Sequence, residues 1–186
     1  MADVNFGRLA AEDDLTAGQA PGSGAAPQPG SGMYDLVELL FFAYRDFISD
    51  PDAILSEIGF GRAHHRILHF VSRNPGLSVA ELLDILKITK QSLGRVLKQL
   101  VDEGYIYQRE GPFDRRQRLL YPTDQGRTMA ERLSAPQFAR FAAAIEATGA
   151  ADAEAARRFL MAMVNEKERD RVAALLKGDQ GTRDDR

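Results

Sequence analysis

The sequence predicts a mainly α-helical chain with a small β-hairpin: a winged helix-turn-helix flanked by apolar helical regions. Three observations predict it. A short capped helix at 79–86 is followed, after a connection of a few residues, by a second amphipathic helix that starts near 90. Two β-prone runs, 105–110 and 118–122, bracket a turn-rich, basic tip. Helix-period stripes at 36–48 and 159–176 are too apolar for lone surface helices and must pack on something large.

The chain has 186 residues, 44% of them hydrophobic and 27% charged, and no cysteine. A chain of this size buries a core without metal or disulfide staples. The lack of cysteine excludes disulfides, Cys-ligated zinc, Cys nucleophiles and thiol redox sensing. The apolar runs are too short to cross a membrane. The start, "MADVNFGRLAAEDDL", lacks the basic segment and apolar run of a secretory signal. A cytoplasmic location is expected.

Residues 1–32 are expected to be a disordered tail, since "AGQAPGSGAAPQPGSG" at 17–32 cannot build a core. Residues 33–61 form an N-terminal helical region. Its helix carries Leu36, Val37, Leu40, Phe41, Tyr44, Phe47 and Ile48 at helical spacing, and Pro51 is expected to end or kink it. The central domain is 62–122. It opens with a helix from about Arg62 to Arg73, with Ile67, Leu68, Phe70 and Val71 inward, stopped by "NPG" at 74–76. Ser78 and Glu81 form a capping box for the short helix, with Leu82, Leu83 and Leu86 inward. Thr89 caps the next helix and Gly104 ends it. Residues 123–177 are helical again. Thr123 caps a helix over 124–134, Pro136 is expected to interrupt it or start another, Gly149 breaks the chain, and Asp152 caps a last helix over about 153–176. Residues 178–186 form a frayed tail.

The helix after Thr89 carries the functional signal. At 100° per residue, Leu93, Val96, Leu97, Leu100 and Val101 gather on one side. Gln91, Arg95 and Lys98 point away, flanked by Lys90, Ser92 and Gly94. Between Lys87 and Arg118 stand eight basic and four acidic residues, a net of +4, in a chain whose total is −3. A basic segment in an acidic protein is an electrostatic footprint for a polyanion. Such a face suits a DNA major groove, where Arg reads guanine and Gln reads adenine. Lys90, Gln91, Ser92 and Arg95 lie in the half that usually reads bases, while Lys98 suits a phosphate. Arg115, Arg116 and Arg118 in the hairpin suit an adjacent minor groove. Asp114 either holds the Arg116 guanidinium or bonds its own backbone in a tight turn.

From these residues the sequence resembles the MarR-type bacterial transcription regulators. The resemblance covers 62–126 and rests on "NPGLSVAELLDILKITKQSLGRVLKQLVDEGYI", the "DRR" of the hairpin and "PTDQG". It implies an obligate homodimer built from the first and last two helices. It also implies two recognition helices about 34 Å apart on a pseudo-palindromic duplex. Release of DNA by a small-molecule effector in a cleft between the two parts is a further implication. By position, Thr89, Lys90, Gln91, Ser92 and Arg95 match the family's recognition-helix contacts, and Asp114 and Arg116 match its wing motif. Pro122 departs from the usual aliphatic residue, and Pro136 would break the long helix after the wing. The family's cysteine-based peroxide sensing has no counterpart.

His65 and His69 share a helix face and, with Tyr44, are candidates for lining a ligand cleft. Two histidines are too few for a metal site, so no metal and no cofactor are expected. No catalytic motif is present, and an enzyme is not expected. The alternative function is a winged-helix protein-interaction or assembly module that does not bind specific DNA.

Overall fold

The computed structural model describes residues 31–177. Residues 1–30 of the tail expected at 1–32, and the tail expected at 178–186, lie outside them; Ser31 and Gly32, expected to be disordered, are already helical. Contacts group the described residues up to Glu38 as one unit and those from Leu39 onward as another. Ten elements follow in order: α1 (Ser31–Ser56), α2 (Arg62–Arg73), β1 (Leu77–Ser78), α3 (Val79–Leu86), α4 (Lys90–Asp102), β2 (Ile106–Glu110), β3 (Arg118–Pro122), α5 (Asp124–Thr148), α6 (Ala150–Met163) and α7 (Glu166–Lys177).

Local side-chain chemistry sets the boundaries of the central helices. Ser78 Oγ accepts from the Glu81 N–H at 3.2 Å, and the Glu81 carboxylate accepts from the Ser78 N–H at 2.8 Å. This is the expected capping box. The α3 helix ends on Lys87, held at φ 51° in the left-handed region, where glycine is the easier residue. Thr89 Oγ then accepts the Ser92 N–H at 3.1 Å and starts α4. Gly104 at φ 79° closes α4.

The hairpin pairs Ile106 with Pro122 and Glu110 with Arg118 in antiparallel register. A further strand, β1, was not anticipated. It pairs Leu77 with Leu120 and Ser78 with Leu119, so the sheet has three strands in the order β1-β3-β2. Ile106 and Leu120 point into a core with Ile67, Leu68, Leu82, Leu93 and Leu100. The recognition-type helix α4 thus rests on α2 and β2 by its apolar side.

Helices continue through both internal prolines, so neither the end considered at Pro51 nor the interruption expected at Pro136 occurs. The α1 helix runs through Pro51 to Ser56, and α5 runs through Pro136 to Thr148. Proline removes the N–H that would bond the carbonyl four residues earlier. For Pro51 that carbonyl belongs to Phe47, and the Gln137 side-chain amide donates to it at 3.4 Å. The missing donor comes from α5. Phe47 also meets Phe141 edge-on at 5.7 Å, and Arg140 pairs with Asp50 at 3.1 Å, so the 47–50 stretch of α1 packs against α5.

The expected last helix is two helices. Residues Val164 and Asn165 separate α6 from α7, and Asp152 sits in the first turn of α6 rather than at its cap, which is Gly149. Arg169 reaches back to the Val164 carbonyl at 2.9 Å and the Ala162 carbonyl at 2.6 Å, satisfying the end of α6. Asn165 followed by Glu168 has the spacing of a helix start that the apolar stripe concealed. The α7 helix returns to α3: Arg171 pairs with Asp84 and bonds its carbonyl at 2.9 Å, and Glu168 pairs with Lys87 at 3.3 Å.

Candidate nucleic-acid interface

The site is a helix face and a hairpin tip. Leu93, Val96, Leu97 and Leu100 are buried, Val101 is half-buried, and Lys90, Gln91, Ser92, Arg95 and Lys98 are exposed on the opposite side of α4. Thr89 is committed to capping: its hydroxyl accepts from the backbone of Ser92 and donates to the Ser92 hydroxyl at 2.9 Å. Beside Gly94 there is open space, so the exposed face is shallow at its middle.

His64, which sequence reasoning left unassigned, fixes this helix to its support. It is buried and stacks on Phe60 at 4.3 Å. Its Nδ1 accepts the Gly61 N–H at 3.1 Å, so the ring proton sits on Nε2 and is donated to Gln99 Oε1 at 2.9 Å. Gln99 in turn donates to Glu103 at 2.9 Å. One imidazole therefore ties the start of α2 to the last turn of α4.

The hairpin tip is a closed turn. The Gly111 N–H donates to the Gln117 carbonyl and the Gln117 N–H to the Asp114 carbonyl, each at 3.0 Å. Asp114 Oδ1 accepts the Arg116 backbone N–H at 2.9 Å, so of its two readings the tight-turn one is seen. A Cβ on Gly111 would stand 2.8 Å from the Asp114 carbonyl oxygen, so only glycine fits there. Arg118 pairs across the hairpin with Glu110 at 2.9 Å.

The basic segment thereby sorts itself. Lys87 pairs with Asp84 and Glu168, Lys98 with Asp102, and Arg118 with Glu110. Arg109 lies 5.2 and 5.3 Å from the ring centres of Tyr107 and Tyr121, which stack on each other. Among the described residues no carboxylate pairs with Lys90, Arg95, Arg115 or Arg116. Two of these cations stand on the α4 face and two at the hairpin tip.

The three ligand candidates come together elsewhere. Tyr44, His65 and His69 line one cavity of about 240 Å³ with Phe47, Ile48, Asp52, Arg62, Arg66, Phe70 and Gln137. Arg62, His65, Arg66 and His69 follow the spacing i, i+3, i+4, i+7 on α2, a polar stripe legible in the sequence. Burial pushes the His65 imidazole below the ordinary histidine range; nearby His69 adds to this and Asp52 opposes it. Asp52 also holds Arg62 at 2.8 Å. No group of three or more metal-ligating side chains occurs among the described residues. No helix among them is long and apolar enough to cross a membrane.

This arrangement can be set beside known proteins. Residues 58–117 match the family model described as MarR family. The HTH-type transcriptional regulator PetP of Rhodobacter capsulatus is 45% identical over 129 residues, covering 69% of this chain and 78% of that protein. The chain belongs to the MarR family of transcription regulators. Solved MarR structures share its fold. A putative MarR family regulator from Listeria monocytogenes, complexed with 26mer DNA, superposes with a TM-score of 0.61 at 22% identity over 77% of this chain and 95% of that one. A Mycobacterium tuberculosis MarR family protein in complex with p-aminosalicylic acid has a TM-score of 0.50 at 26% identity over 70% and 98%. The continuous α5 also removes the family departure expected at Pro136.

Proposed function

We propose that this MarR-family regulator is a cytoplasmic homodimer that binds a pseudo-palindromic duplex in a sequence-specific way and is modulated by a small molecule. The observation that carries the reading is the placing of the four cations without acid partners, two on α4 and two on the hairpin. In this reading α4 enters the major groove. Gln91 and Arg95 meet base edges, Lys90 and Ser92 flank them, and Lys98 leaves Asp102 for a phosphate. The hairpin follows the minor groove, with Arg115 and Arg116 in it, Asp114 shaping the turn and Arg118 steadied by Glu110. Thr89 sets where α4 begins, and so the register of its contacts. The bound DNA of the Listeria relative supports this reading.

The helices on either side supply the dimer. Phe41, Tyr44, Phe141, Ile145, Phe159 and Leu160 are each at least two-fifths exposed. A chain that leaves this many large apolar side chains in water on several helices has a second surface to cover them. In the domain scheme, 33–61 and 123–177 dimerise and 62–122 binds DNA. The effector site is the cavity lined by Tyr44, His65 and His69; its Arg66 guanidinium, paired with no carboxylate among the described residues, suits an anionic aromatic molecule. The p-aminosalicylic acid bound to the Mycobacterium relative supports that choice.

Selection of bound duplexes from a random pool tests the proposal. It should enrich inverted half-sites with centres about 10 base pairs apart or a multiple of that. A pool that returns unenriched, with a protein that sediments as a monomer, would refute it.

A further inference from the structure

Phe113 is fully exposed at the apex of the hairpin and makes no ring contact among the described residues. Turns are built mostly from Gly, Pro, Asn, Asp and Ser, so a phenylalanine at the tip is not there for the turn itself. Its surroundings are specific. Pro112 restrains the chain before it, and the Asp114–Arg116 bond restrains the chain after it. Gly111 and Gln117 close the turn beneath. The ring is therefore presented from a built support, not from a loose loop. Next to it stand Arg115 and Arg116, with no carboxylate partner among the described residues. An apolar ring beside guanidiniums that pair with no carboxylate suits a polyanion with an apolar interior. A DNA minor groove is such a partner: phosphates line its rims, and sugars and base edges form its floor.

We propose that Phe113 is a minor-groove wedge, its ring pressed into a deformable base step next to the half-site read by α4. The inference rests on the DNA-binding function proposed above. Apolar side chains that enter the minor groove part-unstack a step, and pyrimidine–purine steps yield most easily. Phe113 then selects sequence where no hydrogen bond reads it. The arginines hold the hairpin in the groove, and the ring chooses where the groove opens.

The test compares the full-length wild type with Phe113→Ala, Phe113→Leu and Arg116→Ala on duplexes recovered by selection and on a random duplex. The probe is 2-aminopurine placed in turn at steps flanking the half-site. Wild type should brighten the probe at one step on each side, and its selected pool should carry TA or CA at that place. Phe113→Ala should melt at the wild-type temperature, keep the wild-type salt dependence and abolish the brightening. It should lose about tenfold in affinity for the selected duplex and almost none for the random one. Phe113→Leu should retain most of both signals. Arg116→Ala should weaken both duplexes and flatten the salt dependence. Equal affinity and equal brightening for Phe113→Ala would overturn the wedge and leave the DNA-binding reading intact. So would a Phe113→Ala protein that binds duplex normally but fails in transcription, which would make the ring a protein contact. A wild type that binds no duplex would overturn both.

Discussion

Replacing Gln137 with Leu tests the way α1 passes through Pro51. In the structure the Phe47 carbonyl has lost its helical donor to proline and receives the Gln137 amide at 3.4 Å instead. Gln137 is 8% exposed and Pro51 is fully buried, so water does not easily replace that amide. An unsatisfied buried carbonyl costs about 1–3 kcal/mol, and the length of this bond places the loss near the lower end, at about 1–1.5 kcal/mol. In a Pro51→Ala background the alanine N–H serves Phe47 directly. There the same Gln137→Leu change should cost less than about 0.5 kcal/mol, leaving a coupling near 1 kcal/mol. Pro51→Ala alone has opposing effects: it gains a backbone bond but loses ring burial and the stiffness proline gives the unfolded chain. Its own sign therefore matters less than the cycle. Urea unfolding of all four proteins at one protomer concentration measures it, since dimerisation ties stability to concentration. Costs that add to within about 0.3 kcal/mol would refute the donor replacement.

Three further predictions follow from the same geometry. Gly126→Ala would place a methyl carbon 2.0 Å from the Tyr105 carbonyl oxygen, where the start of α5 passes the residue that leads into β2. It should leave little folded protein, measurable as lost near-ultraviolet dichroism, whereas Gly94→Ala, facing open space, should fold normally. Arg95→Ala should cost about 1–3 kcal/mol and relax preference at one base pair, while Lys98→Ala weakens all duplexes alike; a uniform loss from Arg95→Ala would make it a phosphate anchor. Burial holds His65 below its ordinary range, so the folded chain takes up its proton less readily than the unfolded chain. Stability present above the ordinary value of about 6.5 should decline as pH falls through it toward the folded value. The melting temperature should therefore drop between about pH 7.5 and 5.5, and drop less in His65→Gln; equal drops would contradict this assignment.

Local chemistry was legible in the sequence. The caps at Ser78, Thr89 and Thr123 each rely on a side chain bonding the backbone three residues away, and all three occur. The apolar side of α4 was legible from its period alone. What escaped was chemistry completed from far along the chain. Pro51 ends a helix only if nothing replaces its N–H, and the replacement, Gln137, stands 90 residues from the Phe47 carbonyl it serves. Strand β1 has two residues and exists because β3 offers an edge to pair with. His64 is one of three histidines on a helix until Gln99, 35 residues on, shows which one is tied to α4. Phe113 was passed over because turns are read for glycine and charge, not for a stray ring. Pairing with nearby acids likewise trimmed the basic segment: Lys87, Lys98 and Arg118 count in the charge sum but are partly neutralised where they stand.

The most direct test of the account is the salt dependence of duplex binding by the intact wild-type protein. Each phosphate neutralised adds about −0.9 to the slope of log K against log salt. A dimer that sets at least two cations per protomer on phosphates should give a slope of about −3.6 or steeper, and Arg115→Ala/Arg116→Ala should flatten it. A slope near zero, or no duplex binding at about 50 mM salt, would contradict it.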